Sequence, residues 1–174
     1  MAERILVIGS PGSGKSTFAR QLGAQTGLPV HHLDQLYWRA GWIESEREAF
    51  RARVDAVARA PQWIIEGNYS GTLETRLARA DQVILLDLSP LRCTWRILKR
   101  ALTYRGKVRP EMAEGCPERF DLGFLWYVLS FRLKVLPRVE AKLEHYKGDF
   151  VWLGTPREVE RFLSGERLDQ YVHE

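Results

Sequence analysis

Gly9-Ser10-Pro11-Gly12-Ser13-Gly14-Lys15-Ser16 decides how the rest of this 174-residue chain is read. The spacing is GxxxxGK[ST], the Walker A pattern, and its surroundings agree with it. Residues 4–8 (RILVI) read as a strand before it. Lys15–Thr26 reads as a helix after it, with Phe18, Ala19 and Leu22 along one stripe. The glycines let backbone N–H groups curl around an anion without a Cβ in the way. The helix N-terminus adds the positive end of its dipole. Lys15 is placed to reach β- and γ-phosphates and the Ser16 hydroxyl to coordinate Mg²⁺. Gly9, Ser10, Pro11, Gly12, Ser13, Gly14, Lys15, Ser16 and Thr17 are therefore the expected contacts of a nucleoside triphosphate.

Beyond this loop, short apolar runs alternate with longer amphipathic ones. Gly27 and Pro29 end the first helix, and residues 30–33 form a second strand that stops at Asp34. Residues 44–59 read as a helix with Phe50, Val54 and Val57 on one side, broken by Pro61. A third strand, residues 63–65, runs into Glu66-Gly67. A short helix over 71–80 follows, then a largely apolar fourth strand at 82–88, and a fifth at 150–153. Strands alternating with helices predict an α/β fold. The expected architecture is a three-layer sandwich with a five-stranded parallel sheet. Residues 1–174 are expected to form a single domain with a helical lid inserted at about 100–146. Residues 103–117 read as a polar, mobile loop, and residues 118–146 as one aromatic-rich helix kinked at Pro137.

In a parallel sheet the ligand crevice lies beyond the strands' carboxyl ends. Asp34, Glu66 and Asp87 all fall there. Glu66 and Asp34 are the candidates for supporting Mg²⁺, with Glu66 ahead. Asp34 is alternatively a proton acceptor for an attacking hydroxyl, and Asp87 reads better as a capping or solvated acid. Tyr37, Trp38 and Trp42 read equally as a stacking surface for a planar base or as packing residues. Asn68 is either a substrate contact or a turn residue. His31 and His32, adjacent on a strand, point to opposite faces and make a poor metal pair.

Charge is uneven. The chain is mildly basic, with 26 Lys and Arg against 22 Asp and Glu. Residues 92–142, however, hold twelve basic groups and five acidic ones, so this segment is built to meet anions. A helix starting at Ser89-Pro90 places Arg92, Arg96, Lys99 and Arg100 on one face. Leu91, Trp95, Leu98 and Leu102 fall on the other. Arg96, Arg100 and the lid residue Arg109 are candidates for stabilising a transferring phosphoryl group, and a lid carrying them would exclude water. A nucleic-acid backbone groove is the competing reading of the same cations. Cys93 and Cys116 have no CxxC pairing and predict neither a zinc site nor a disulfide. No apolar run reaches the length of a membrane span, and the start of the chain lacks a signal-peptide layout, so the expected compartment is cytoplasmic.

Together these residues resemble the adenylate-kinase-like P-loop phosphotransferases. Trp63-Ile64-Ile65-Glu66-Gly67 is similar to that group's strand plus Asp-Gly, with Glu in place of Asp. Arg96 and Arg100 resemble its paired helix arginines. Leu153-Gly154-Thr155-Pro156 resembles its late loop packing on adenine, which adds Thr155 and Pro156 to the expected ATP contacts. More narrowly, HHLDQLYW, WIIEGNY, ADQVILLDL, CTWRILKR and RPEMAEGCPERFD resemble the bacterial DNA topology modulation protein family over roughly residues 4–163. The resemblance implies a kinase using ATP and Mg²⁺ on a small-molecule acceptor, a nucleotide or nucleoside among the candidates. A nucleotide-gated nucleic-acid binder is the alternative. The group's DGFPR stands here as Glu66-Gly67-Asn68-Tyr69-Ser70, with no arginine, which weighs against a nucleoside monophosphate acceptor. The lid also lacks the four cysteines of zinc-bearing relatives.

Overall fold

The computed structural model describes residues 2–166. Strand β1 (Arg4–Gly9) enters the phosphate loop and α1 (Lys15–Thr26) leaves it, ending at Gly27 in the left-handed conformation. The elements β2 (Val30–His32), β5 (Trp63–Glu66), β6 (Gln82–Leu86) and β7 (Asp149–Leu153) complete a sheet of order β2-β5-β1-β6-β7. Every pairing in it is parallel. The expected α/β sandwich with five parallel strands is therefore present.

Side chains of a strand alternate between faces, and the sheet separates two cores on that rule. Ile5, Val7, Ile64, Ile84 and Leu86 pack on one side with Phe18 and Leu22 of α1. Leu6, Ile8, Ile65, Val83 and Leu85 pack on the other with Phe50 and Val54 of α3 (Arg47–Ala58). Both faces are covered, so these strands are apolar throughout rather than alternating.

Several elements depart from the sequence reading. The second strand ends at His32, and Asp34 lies in the first turn of a short helix, α2 (Leu33–Tyr37). The helix expected from residue 44 starts only at Arg47, because Glu44 pairs in a small antiparallel hairpin of β3 (Trp38–Arg39) and β4 (Ile43–Glu44). Gly41 and Trp42 turn it, both at positive φ. The helix expected over 71–80 is a 3-10 turn followed by α4 (Leu73–Leu77).

The helix after Ser89 is α5 (Pro90–Thr103). The single kinked helix expected after it is two: α6 (Leu122–Lys134), capped by Asp121 accepting from the Phe124 N–H, and α7 (Leu136–Leu143). Pro137 sits in the first turn of α7. Its missing N–H costs nothing there, so it starts a helix instead of bending one. The last described elements are β7 and α8 (Pro156–Leu163). Among the described residues no helix is long and apolar enough to cross a membrane.

The loop between α5 and α6 reads as mobile in sequence, but it is fastened. Its Pro110 carbonyl accepts from Gln35, its Gly115 carbonyl from the Gly41 N–H, and its Pro117 carbonyl from the Trp42 indole. Arg109, Met112, Cys116 and Glu118 are buried beneath it. Polar composition here reflects main-chain groups held by the hairpin rather than freedom of movement.

Candidate active site

A cleft of about 1200 Å³ opens at the carboxyl ends of the strands. Residues Pro11, Gly12, Ser13, Gly14, Lys15, Ser16 and Thr17 line it, while Gly9 and Ser10 lie behind. Gly12 and Gly14 have φ of 79° and 98°, a region that favours glycine. A Cβ on Gly12 would sit 2.7 Å from the Cys93 carbonyl oxygen, and one on Gly9 would overlap that of Leu86. The loop is thus packed from behind and open in front. Asn68 holds its entrance: its side chain accepts from the Gly9 N–H at 3.0 Å and donates to the Gly9 carbonyl at 2.9 Å. Asn68 is therefore a clamp on the loop, a role that neither reading of its sequence position offered, and it also lines the cleft.

Lys15 lies across the loop, donating to the Ser10 carbonyl at 2.9 Å. Burial lowers its pKa against the opposing pull of Glu66 and Asp34. Arg96 donates to the Ser13 carbonyl at 2.8 Å. The Ser13 hydroxyl is buried and has no hydrogen-bond partner among the described residues. A phosphate group fits this cradle: it supplies an acceptor for that hydroxyl and for Lys15 where a side chain could not enter.

Glu66, at the end of β5, accepts from the Ser16 hydroxyl at 3.1 Å, and the same oxygen lies 2.9 Å from His32 Nδ1. Burial pushes this carboxyl up, but the His32 hydrogen bond, the Lys15 charge and the Ser16 hydroxyl hold it below its ordinary value. It therefore stays ionised, as a metal ligand must. No group of three or more His, Cys, Asp or Glu among the described residues is arranged to hold an ion alone. Mg²⁺ retains waters and shares its sphere with substrate phosphates, so Ser16 and Glu66 are the residues that would hold it. His32 is the residue that sequence reasoning undervalued. Its signal was register: β2 pairs with β5 so that His32 stands directly beside Glu66.

Asp34 lines the same cleft, close enough to Glu66 and Lys15 to feel both charges. Its Oδ1 accepts from the Tyr69 hydroxyl at 2.6 Å. Burial raises its pKa, the Tyr69 hydrogen bond opposes that, and Glu66 raises it further. Tyr69 is held there by Arg76, a fully buried guanidinium that donates to the Gly67, Asn68, Tyr69 and Thr72 carbonyls. Tyr37 packs against Phe50 and Tyr69, whereas Trp38 and Trp42 line the cleft. Arg119 lies 4.7 Å over the Trp42 ring.

The roof is the lid loop. Arg100 and Arg109 both face the cleft and are both tied to Glu118, at 3.0 Å and 2.5 Å. Asp87 is not a metal ligand candidate, because Arg132 holds it in a two-pronged pair at 2.8–3.1 Å. Pro156 reaches the cleft wall, but the Thr155 hydroxyl caps α8 by accepting from the Glu158 N–H. Seven of the twelve cations in the basic segment are engaged within the fold.

The sheet order and the loop define an α/β protein of the nucleotide-kinase P-loop fold. Shikimate kinase from Bacteroides thetaiotaomicron is similar to this chain with a TM-score of 0.53 at 17% identity, covering 95% of this chain and 96% of that one. A sugar kinase from Janibacter sp. HTCC2649 is similar with a TM-score of 0.51 at 16% identity, covering 94% of each. Similarity at this level carries the fold. No family model and no curated protein sequence matches the chain.

Proposed function

We propose that this chain transfers the γ-phosphoryl group of ATP to a hydroxyl of a small-molecule acceptor. One observation carries the reading: a buried-side carboxyl, Asp34, shares a cleft with the phosphate loop and has a neutral hydroxyl, Tyr69, as its hydrogen-bond partner. A hydrolase needs only to place water. A kinase needs a proton acceptor beside the second substrate and a cover against water; Asp34 supports the first role and the loop carrying Arg109 and Glu118 the second.

In this reading Lys15 and the loop N–H groups hold the β- and γ-phosphates. Ser16 and Glu66 hold Mg²⁺, with His32 fixing the Glu66 oxygen. The ion, when bound, neutralises charge on the phosphate oxygens. Asp34 takes the proton as the acceptor oxygen forms its bond to phosphorus and the bond to ADP breaks. Arg96, Arg100 and Arg109 meet the charge spread over the equatorial oxygens. Trp38 and Trp42 offer flat faces to a planar acceptor, so nucleosides and nucleotides are the first class to test. That agrees with the chain's resemblance to adenylate-kinase-like enzymes. The nucleic-acid reading has less support, because seven of the twelve cations it would use are engaged within the fold, four of them in ion pairs.

The test is ADP release from Mg-ATP against nucleosides, nucleoside monophosphates and hydroxylated metabolites, with Lys15→Ala as control. One acceptor should stimulate release and the control should abolish it. Release at the same rate with every acceptor, or an unaffected control, would overturn the assignment.

A further inference from the structure

Helices α5 and α6 repeat one apolar spacing. Leu91, Trp95, Leu98 and Leu102 on the first, and Leu122, Trp126, Leu129 and Leu133 on the second, fall at i, i+4, i+7 and i+11. This alternation of four and three is the narrow seam of a helix that packs along another helix. Both seams are open at their ends, while Leu98 in the middle of the first is half-buried. Leu91, Trp95 and Leu102 are 76%, 67% and 78% exposed, and Leu122, Trp126 and Leu133 are 72%, 63% and 83% exposed. Core contacts come from the other side of each helix, through Cys93 and Ile97 on α5 and Val128 and Phe131 on α6. The two helices pack against each other, and each turns its seam away from the core.

Magnitude separates this face from ordinary surface scatter. A whole Trp side chain presents ~150–250 Å² and a Leu somewhat less. The exposed parts of these side chains then amount to roughly 900 Å² per protomer, against about 300–600 Å² for the largest apolar patch of a typical monomer. One side of a standard stable interface is about 800 Å².

Spacing and charge identify the occupant. Two adjacent heptad-type seams are matched by another pair of such seams, which a second copy supplies. In a two-fold contact the same patch meets itself, so charges near its centre would repel. On the α6 side Gly123 is neutral, Arg132 is paired with Asp87, and Lys134, over the Trp126 ring at 5.7 Å, is the cation at the seam's C-terminal end. The exposed cations Arg92 and Lys99 flank the α5 seam, where an interface places its polar rim. We propose that two copies of this chain associate through the α5–α6 face, with the α6 seams at the centre of a four-helix contact. This does not rest on the catalytic reading.

Sedimentation velocity of the full chain over a range of concentrations tests it. A dimer with a Kd in the micromolar range or tighter is expected. Trp126→Ala with Leu133→Ala should weaken it about a hundredfold or more. Both side chains are exposed in the protomer and Ala favours helix, so an unchanged circular dichroism spectrum is expected and separates lost association from lost fold. A wild-type chain that stays monomeric at about 100 µM, or a dimer indifferent to both substitutions, would overturn the proposal. A wild-type monomer that instead co-sediments with phosphatidylglycerol vesicles would assign the face to an anionic membrane surface and overturn it equally.

Discussion

Asp34 and Glu66 are two carboxyls of one cleft whose surroundings push them apart. Glu66 is held low by His32, Lys15 and Ser16 acting against burial, and Asp34 is raised by burial with Tyr69 pulling the other way. Divergent environments suit divergent roles, and in the proposed reaction Glu66 is the ionised metal ligand and Asp34 the base that protonates as the pH falls. Because Asp34 must be ionised to accept a proton, kcat should decline on the acid side with an apparent pKa above the ordinary carboxylate value. Tyr69→Phe removes the hydrogen bond that lowers that pKa, so the acid limb should move to higher pH. Asp34→Asn should reduce kcat by about 10²–10⁴ while the KM for ATP changes by about twofold or less. A pH–rate profile of the three proteins decides this. An acid limb unmoved by Tyr69→Phe would mean that another group is titrating. Glu66 and Asp34 were both legible in sequence as acids following apolar strands. What separates them was not, because it depends on His32 and Tyr69, which lie near only through strand pairing and through the Arg76-held loop.

At the scale of elements, legibility followed the range of the forces involved. The phosphate loop, β1 and α1 are fixed by neighbours in sequence, and Lys15–Thr26 begins and ends where the glycines dictate. The β3–β4 hairpin was hidden, because its two-residue strands are too short to show periodicity. The lid's anchors were hidden for a related reason: they are main-chain carbonyls 75 residues away from Gln35 and Trp42. Its inner order comes from Glu118, a buried carboxylate shared by Arg100 and Arg109. Burial lowers the Arg100 pKa and the neighbouring Arg109 lowers it further, so these cations need that carboxylate. Glu118→Gln keeps the shape and removes the charge. Removing one partner of a buried pair costs about 3 kcal/mol, and for a chain of this size that lowers Tm by about 6–12 °C. Differential scanning calorimetry should show the loss. A Tm within about 2 °C of wild type would mean that the arginines are already solvated.

Over the whole molecule, the cleft draws on both cores and on the lid. The phosphate loop and α1 belong to one side of the sheet, Tyr69 packs with the other, and Arg96 and Arg100 project from α5 to the loop and lid. A ligand touching all of them adds its binding energy to the folded state only. At about a hundred times its Kd, a non-hydrolysable ATP analogue with Mg²⁺ should stabilise the protein by ~2.7 kcal/mol, a rise in Tm of about 5–11 °C. Lys15→Ala should melt near the wild-type temperature without ligand, since the cost of burying its ammonium offsets its bond to the Ser10 carbonyl and its attraction to Glu66 and Asp34, and should show little of the rise with it. The sign of a second effect is also fixed. If Glu118 releases its arginines to the phosphates on binding, Glu118→Gln should narrow the gap to wild type when the analogue is present, because the ligand then supplies the negative charge the variant lacks. Melting curves of the three proteins, with and without analogue, separate these outcomes. An equal rise in wild type and Lys15→Ala would show that the analogue binds away from the phosphate loop. A gap for Glu118→Gln that the analogue leaves unchanged would show that Arg100 and Arg109 stay with the lid rather than turning to the phosphates.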